Sequence, residues 1–379
     1  MIRFLLLYLS VYPLVHYYAL RKIRAAFLLS KKAHLCLVLF MATMIAAPIM
    51  VRLAERAGIE TGARFWAYTS FSWMGLLFLF TTISAAVDTV CYAILATEKI
   101  QKRKFSLPRV SPRQLFANQA MLALAMYGYG LFEAANIRLE HIEIASPKIT
   151  ASTGRIRIAQ ISDVHLGLII REERLKQIIA RIQEAQPDIL VSTGDLLDGQ
   201  LNHLTTEAGL LAAINPPLGK FAITGNHEFY AGIQDALDFT NASGFTILRQ
   251  QGMMVGGITI VGVDDPAVKA FGNGHAESEH DLLATQPKEN FTLLLKHRPA
   301  IDPNSLGLFD LQLSGHTHKG QIFPFNLLTW IFYPQRAGQL TALNSGLLYL
   351  SRGTGTWGPP IRFLAPPEVT IIDLLPAKN

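Results

Sequence analysis

Residues 156 to 165 read Ile156-Arg157-Ile158-Ala159-Gln160-Ile161-Ser162-Asp163-Val164-His165. Apolar residues recur at Ile156, Ile158 and Ile161, a β-strand pattern. The strand runs straight into Asp163 and His165. A carboxylate and an imidazole two residues apart, just beyond a buried strand, can face one side of the chain and begin a metal site. Taken alone, the pair is a weak signal and reads first as the polar end of a strand turning into solvent. Further ligands elsewhere in the chain decide between the two.

The same arrangement recurs four more times downstream. Ile189-Leu190-Val191 runs into Gly194-Asp195-Leu196-Leu197-Asp198-Gly199, and Phe221-Ala222-Ile223 into Gly225-Asn226-His227-Glu228. Phe291 to Leu295 leads to Lys296-His297-Arg298-Pro299, and Leu308 to Leu313 to Gly315-His316-Thr317-His318. Helical spacing at Leu175, Ile178, Ile179 and Ile182 and over Gln234 to Ala242 falls between strands. Further strands are expected at Gly257 to Val263, Leu340 to Leu343, Leu347 to Ser351 and Val369 to Leu374. Strands alternating with helices predict an α/β fold, in which ligands bind beyond the carboxyl ends of the strands. A turn, a solvated hairpin or a half-buried histidine explains each block singly, but not their shared position at strand ends.

The chain has 379 residues, room for about two domains. Half the residues are hydrophobic and 16% are charged, against a usual share of about 25%, and mean hydropathy is +0.27. Up to residue 154 there are 17 Lys/Arg against 7 Asp/Glu, a balance of +10; from residue 155 on there are 17 against 21, a balance of −4. The basic pI therefore belongs to the N-terminal part and is no nucleic-acid footprint. Cys36 and Cys91 lie in apolar stretches, so the C-terminal part has neither a disulfide framework nor a cysteine metal site.

Four apolar stretches, Phe4 to Leu20, His34 to Val51, Trp66 to Leu95 and Leu115 to Phe132, are each about long enough to cross a bilayer. The third is long enough to tilt. The first has only Arg3 before it and no small-residue cleavage site, so a retained helix is expected. Arg21, Lys22, Arg24, Lys31, Lys32, Lys99, Lys102, Arg103, Lys104, Arg109 and Arg113 put 11 basic residues on one side, against 4 on the other, Arg3, Arg52, Arg56 and Arg64. Excess Lys/Arg marks the cytoplasmic side, which predicts a multi-pass protein of the cell (inner or plasma) membrane with an extracytoplasmic C-terminal domain. Asp88 and His16 lie inside apolar stretches without an identifiable partner and read as helix contacts of an anchor rather than a transport path. Pro147 and Gly154 mark a connector. The expected organisation is an anchor of about four helices over 1–136, a linker over 137–154 and a catalytic domain over 155–379.

The blocks Asp163-Val164-His165, Gly194-Asp195-Leu196-Leu197-Asp198, Gly225-Asn226-His227-Glu228, His297 and Gly315-His316-Thr317-His318, in this order, resemble the calcineurin-like metallophosphoesterases. The resemblance implies a two-sheet α/β/β/α sandwich and two divalent ions. Mixed carboxylate, amide and imidazole donors suit Mn, Fe, Zn or Co. By the resemblance Asp195 bridges the ions, Asp163, His165 and His318 complete one shell, and Asn226, His297 and His316 the other. It also implies that His227 protonates the leaving group with Asp198 orienting it, and that a phosphodiester, pyrophosphate or phosphomonoester is hydrolysed by metal-activated water. Many members carry Arg where this chain has Gly199; Arg298 is the candidate replacement.

Gly315 to Gln321, Ser351-Arg352-Gly353-Thr354-Gly355 and Pro366-Pro367-Glu368 are similar to a bacterial membrane-linked branch that includes UDP-2,3-diacylglucosamine hydrolases. Lys319 stands where that branch commonly has Gly. The apolar stretch Ile322 to Tyr333 is expected to pack inside the domain; the alternative is that it meets lipid or acyl chains. The expected partners are a phosphoester substrate, lipid-linked in one reading, and membrane lipids, with no nucleic acid. The competing function is a catalytically silent metal-binding sensor or scaffold at the membrane.

Overall fold

Apolar runs too long for a strand become helices. The computed structural model describes residues 2–105, 110–199, 204–271 and 278–377. It begins with α1 (Ile2–Ala26), α2 (Lys31–Arg56), α3 (Glu60–Gln101) and α4 (Pro112–Ala135). Ser30 caps α2 by accepting from the Ala33 N–H at 3.2 Å. By length and composition, two of these helices, over Lys31–Glu55 and Glu60–Gln101, are able to cross a membrane. Their surfaces stay apolar, with Leu35, Leu39, Leu53, Val90 and Leu95 exposed. Asp88 and His16 have partners the sequence did not suggest. Asp88 accepts from the Tyr18 hydroxyl at 2.7 Å and pairs with Lys22 at 2.5 Å, and His16 Nε2 accepts from Trp73 Nε1 at 2.9 Å. Separations of 57 to 70 residues in sequence hid these contacts. Arg109 lies outside the described residues.

The chain divides into two compact units, Met1–Phe132 with Gly358–Ile361, and Glu133–Trp357 with Arg362–Asn379. The second unit carries β1 (Arg138–Ser146), β2 (Ile156–Ile161), α5 (Glu172–Ala185), β3 (Ile189–Ser192), α6 (Thr205–Ala212), β4 (Lys220–Ala222), α7 (Asn226–Ala231), α8 (Ile233–Ala242) and β5 (Thr246–Ile247). It continues through β6 (Gln251–Val255), β7 (Ile258–Gly262), α9 (Glu279–Ala284), β8 (Phe291–Leu295), β9 (Leu311–Ser314), α10 (Phe325–Phe332), β10 (Leu340–Leu343), β11 (Gly346–Leu350) and β12 (Glu368–Pro376).

These strands make two six-stranded mixed sheets, ordered β1-β12-β2-β3-β4-β5 and β10-β11-β9-β8-β7-β6. In the first, β2, β3, β4 and β5 run parallel; in the second, β7, β8, β9 and β11 do. The short central strands β3, β4, β7, β8 and β9 are buried along their whole length because both faces are covered. Ile158, Ile189, Val191 and Phe221 of one sheet pack with Ile260, Phe291, Leu293 and Leu313 of the other. On the outer face of the first sheet, Leu175, Ile178 and Ile182 of α5, Leu211 of α6 and Ala236 of α8 join Ala159, Ile161 and Leu190. On the second, Leu282 and Leu283 of α9 join Val261 and Leu294. The expected α/β/β/α layering is therefore present.

Two sequence expectations change. Part of the stretch expected to be a connector forms β1, paired in parallel with β12 from Arg138↔Glu368 to Ser146↔Pro376. Most of the stretch Ile322 to Tyr333, expected to be packed inside, forms α10, in which no residue is buried, because Asn326, Thr329 and Tyr333 take the half-buried side and its large apolar residues face outward.

Candidate metal centre

Each candidate side chain leaves the end of a parallel strand or the turn after it. Five sit on backbone that L-residues rarely adopt: φ is +52° at Asp163, +56° at His165, +52° at Asp195, +76° at His316 and +48° at His318. Such left-handed residues cost roughly 1–3 kcal/mol each and gather where function over-determines the backbone. Two glycines permit the crowding. A Cβ at Gly225 would come 2.2 Å from Asp195 Oδ1, and one at Gly315 would come 1.9 Å from Ser162 Oγ and 2.2 Å from Asp163 Oδ2.

Among the described residues three overlapping donor groups result, two separate clusters and a third, His165, Asp195 and His227, that spans them. Asp163, His165 and His318 form the first: His165 Nε2 is 3.0 Å from His318 Nε2, which is 3.4 Å from Asp163 Oδ1. Asp195, His297 and His316 form the second: His297 Nε2 is 3.3 Å from Asp195 Oδ2 and 3.2 Å from His316 Nδ1. One atom links them, since Asp195 Oδ2 also lies 3.9 Å from His165 Nε2. The other oxygen, Oδ1, accepts from the His227 backbone N–H at 2.8 Å. Asn226 opens α7, and its Oδ1 is buried without a hydrogen-bond partner. An orphaned buried acceptor costs about 1–3 kcal/mol, a cost that a cation removes. Carboxylate, amide and imidazole donors around an orphaned oxygen fit a pair of borderline divalent ions.

The electrostatics agree. Burial disfavours charge on His297, but the Asp195 carboxylate outweighs it and pushes His297 up to about 10. Burial and the neighbouring His297 press His316 down to about 3. His318 is held well below its usual value by burial and by Arg362.

His227 lies against both clusters, its ring 4.6 Å from that of His165. Its Nδ1 is 2.7 Å from the Asp198 carbonyl and 3.2 Å from Asp198 Oδ1. A carbonyl only accepts, so Nδ1 carries a proton and Nε2 is the nitrogen free for proton transfer. Burial opposes a charge on His227, yet the carboxylates of Asp195 and Asp198 lift it to about 9. Asp198 Oδ1 also stands 3.5 Å from His165 Nδ1. The Asp198 side chain is 32% exposed, and although partial desolvation opposes it these imidazoles hold its carboxyl far below its usual range. All nine residues singled out from the sequence thus meet at one place.

The calcineurin-like phosphoesterase family model matches residues 156–320. An uncharacterized metallophosphoesterase of Aquifex aeolicus is 38% identical over 256 residues, covering 67% of this chain and 97% of that protein. The chain belongs to the calcineurin-like metallophosphoesterases. A metallophosphoesterase of Helicobacter pylori strain J99 is 32% identical over 68% of this chain and 70% of its own length. A Danio rerio protein named a transmembrane protein with metallophosphoesterase domain is 30% identical over 68% of this chain and 62% of its own length. This chain is accordingly a phosphoester hydrolase of a dinuclear metal-dependent family.

In this metallophosphoesterase several supporting residues had escaped the sequence reading. Glu228 is buried, and its carboxylate accepts from the N–H groups of Asp195, Leu196, Leu197 and Gly225. A Glu three residues after a helix-capping Gly was the available signal. Arg362 is fully buried; it donates to the carbonyls of Gly355, His318, Arg352 and Ala365 and lies 3.1 Å from His318 Nδ1. The amides of Thr354 and Gly355 bond to the carbonyls of Ser162 and Asp163, so the Ser351–Gly355 block backs the Asp163 loop. Lys319 has φ +52°, a left-handed conformation that Gly adopts without strain. Arg298 is engaged by buried Asp265 through Nε at 2.7 Å and Nη2 at 2.9 Å. Three aromatic rings approach the centre: Tyr230 at 5.3 Å and Trp357 at 5.8 Å from His227, and Tyr333 at 5.4 Å from His316.

Proposed function

We propose that the chain is a membrane-anchored phosphodiesterase whose two-ion centre is held by Asp163, His165, Asp195, Asn226, His297, His316 and His318. The observation that carries this reading is the position of Asp195 Oδ2, within 3.3 Å of His297 and 3.9 Å of His165, between the two clusters. Two bound divalent ions supply Lewis acidity for a water nucleophile and neutralise phosphoryl charge. The chain itself supplies the rest. His227 gives its Nε2 proton to the leaving alkoxide oxygen as that oxygen's bond to phosphorus breaks, while the attacking water releases a proton to solvent and its oxygen bonds to phosphorus. Asp198 fixes the ring through Nδ1 and favours its charged form. The imidazole regains its proton from solvent. Alkoxides are poor leaving groups, so a built-in acid supports an alkyl phosphoester over an aryl one. The presence of an acid beside the clusters supports catalysis over a binding-only sensor.

Anchoring needs only α2 and α3, the two helices apolar enough to cross by length and composition; the outward orientation requires α1 and α4 to cross with them. Helices α1 and α4 are 25 and 24 residues long, enough at 1.5 Å per residue for about 35 Å. With all four crossing, the basic loops stay cytoplasmic and the catalytic unit faces out. With α2 and α3 alone, the catalytic unit lies on the basic, cytoplasmic side. A reporter fused at the C-terminus distinguishes the two.

The activity is tested on the purified full chain with bis(4-nitrophenyl) phosphate and 4-nitrophenyl phosphate. Hydrolysis that requires added Mn, Fe, Zn or Co, and is faster for the diester, is expected. No hydrolysis with any of them counts against the reading, and a faster monoester reassigns the substrate.

A further inference from the structure

Helix α10 is built inside out. Asn326, Thr329 and Tyr333, three and four residues apart, form its half-buried stripe, while Phe325, Leu327, Leu328, Trp330, Ile331 and Phe332 are exposed. Trp330, Ile331 and Phe332 are 61%, 69% and 71% exposed. A helix on a water-facing surface shows the opposite order, apolar stripe inward. The helix begins close against the metal-centre loop: a Cβ on Gly320 would come 2.3 Å from the Asn326 backbone nitrogen. Thr329 Oγ1 turns back along the helix to donate to the Asn326 carbonyl at 3.0 Å. The C-cap residue, Tyr333, sets its ring edge against His316. The patch extends onto a second loop, because Phe323 pairs with the Phe363 carbonyl next to exposed Leu364.

We propose that α10 inserts into one leaflet of a lipid bilayer and brings the mouth of the phosphoesterase centre to the headgroup layer, where phosphate esters of lipids lie. The proposal rests on the membrane-anchored reading above. Three features select lipid over a protein partner. Residues 322–335 contain no charged side chain, whereas a protein interface carries a polar, hydrogen-bonding rim. Lys319 and exposed Arg336 flank the stretch, the charge that phosphate headgroups attract. Only Asn136 and Ile137 separate α4 from β1, so a membrane-embedded α4 tethers the catalytic unit through a two-residue link. The apolar arc enters the acyl boundary, and Tyr333 stays at headgroup level with its ring on His316, as tyrosines at membrane interfaces do.

The test uses the full chain with Cys36→Ser and Cys91→Ser, an environment-sensitive fluorophore attached through Ile331→Cys, and reconstitution into phosphatidylcholine–phosphatidylglycerol vesicles. A matched protein labelled through Glu289→Cys, an exposed polar position on another loop, is the control. Vesicles containing brominated lipid should quench the label at 331 severalfold and leave the control unchanged. A chain that floats with the vesicles but is unquenched at 331 overturns the proposal alone. A chain that does not float overturns the anchoring and the proposal with it. A blue shift at 331 that depends on protein concentration and not on lipid assigns the face to a second copy, against the proposal. The paired variant Trp330→Ser/Ile331→Ser should lose roughly tenfold in turnover of a vesicle-embedded phospholipid diester, with hydrolysis of soluble bis(4-nitrophenyl) phosphate unchanged; equal loss on both overturns the lipid role.

Discussion

Oδ2 of Asp195 lies 3.3 Å from Nε2 of His297, and both groups are buried. Burial works against charge on the imidazole, but the carboxylate prevails and His297 is pushed up to about 10. A ring nitrogen that carries a proton cannot coordinate. Metal uptake near neutral pH should therefore expel about one proton from His297, and apparent affinity should rise with pH by roughly tenfold per unit while His297 remains protonated in the free chain. Calorimetric titration in two buffers of different ionisation enthalpy reads the proton directly. A binding heat that is independent of the buffer contradicts the pairing.

His227→Ala should lower turnover of alkyl phosphodiesters by about 10²- to 10⁴-fold with metal content unchanged. The loss should be smaller for 4-nitrophenyl esters, whose leaving group needs no proton. His227 is raised to about 9 by Asp195 and Asp198 against burial. Its acid form is therefore present below that value, and the rate should fall as pH rises through it. Asp198→Asn removes one of the raising carboxylates and should move this alkaline limb to lower pH. A limb in the same place would assign the acid to another group.

The site was legible because its chemistry is written locally. Each of Asp163, Asp195, Asn226, His297 and His316 follows its own apolar strand within a few residues, so strand pattern and donor type appear together. The double-sheet core was legible for the same reason, through buried strands such as Ile189–Ser192 and Phe291–Leu295. What escaped depends on partners far away in sequence. β1 is half-exposed and acquires its meaning from β12, which begins 230 residues further on at Glu368. Arg362 looks like any loop arginine until its carbonyl partners enclose it. Helix α10 escaped for another reason: apolar composition states that a segment avoids water, not which apolar phase it meets.

Glu228 holds the Asp195 loop through four backbone N–H groups, two on each oxygen. Glu228→Gln replaces one oxygen by an amide that points its own hydrogens at two donors. The expected loss is about 2–3 kcal/mol of stability, seen as a lower urea midpoint at unchanged slope. A midpoint equal to wild type would remove Glu228 from the support of the centre.

Arg298 stands beside His297 with its fork fixed by Asp265 and its side chain 28% exposed. If it replaces the arginine absent at Gly199, Arg298→Ala should raise KM for a phosphodiester roughly tenfold, with a smaller effect on kcat. Arg298→Lys, which keeps the charge and loses the two-point pairing, should recover only part of the effect. Steady-state kinetics on the full chain decide this, and an unchanged KM excludes phosphate binding by Arg298.

The central claim is that one carboxylate, Asp195, joins two ion sites. Elemental analysis of the full chain, saturated with Mn and freed of excess metal, tests it most directly. The account predicts about two ions per wild-type chain, and fewer than one per chain in a folded Asp195→Ala variant that has lost hydrolysis. A folded wild-type chain that retains one ion or none, or an Asp195→Ala chain that keeps both, would contradict it.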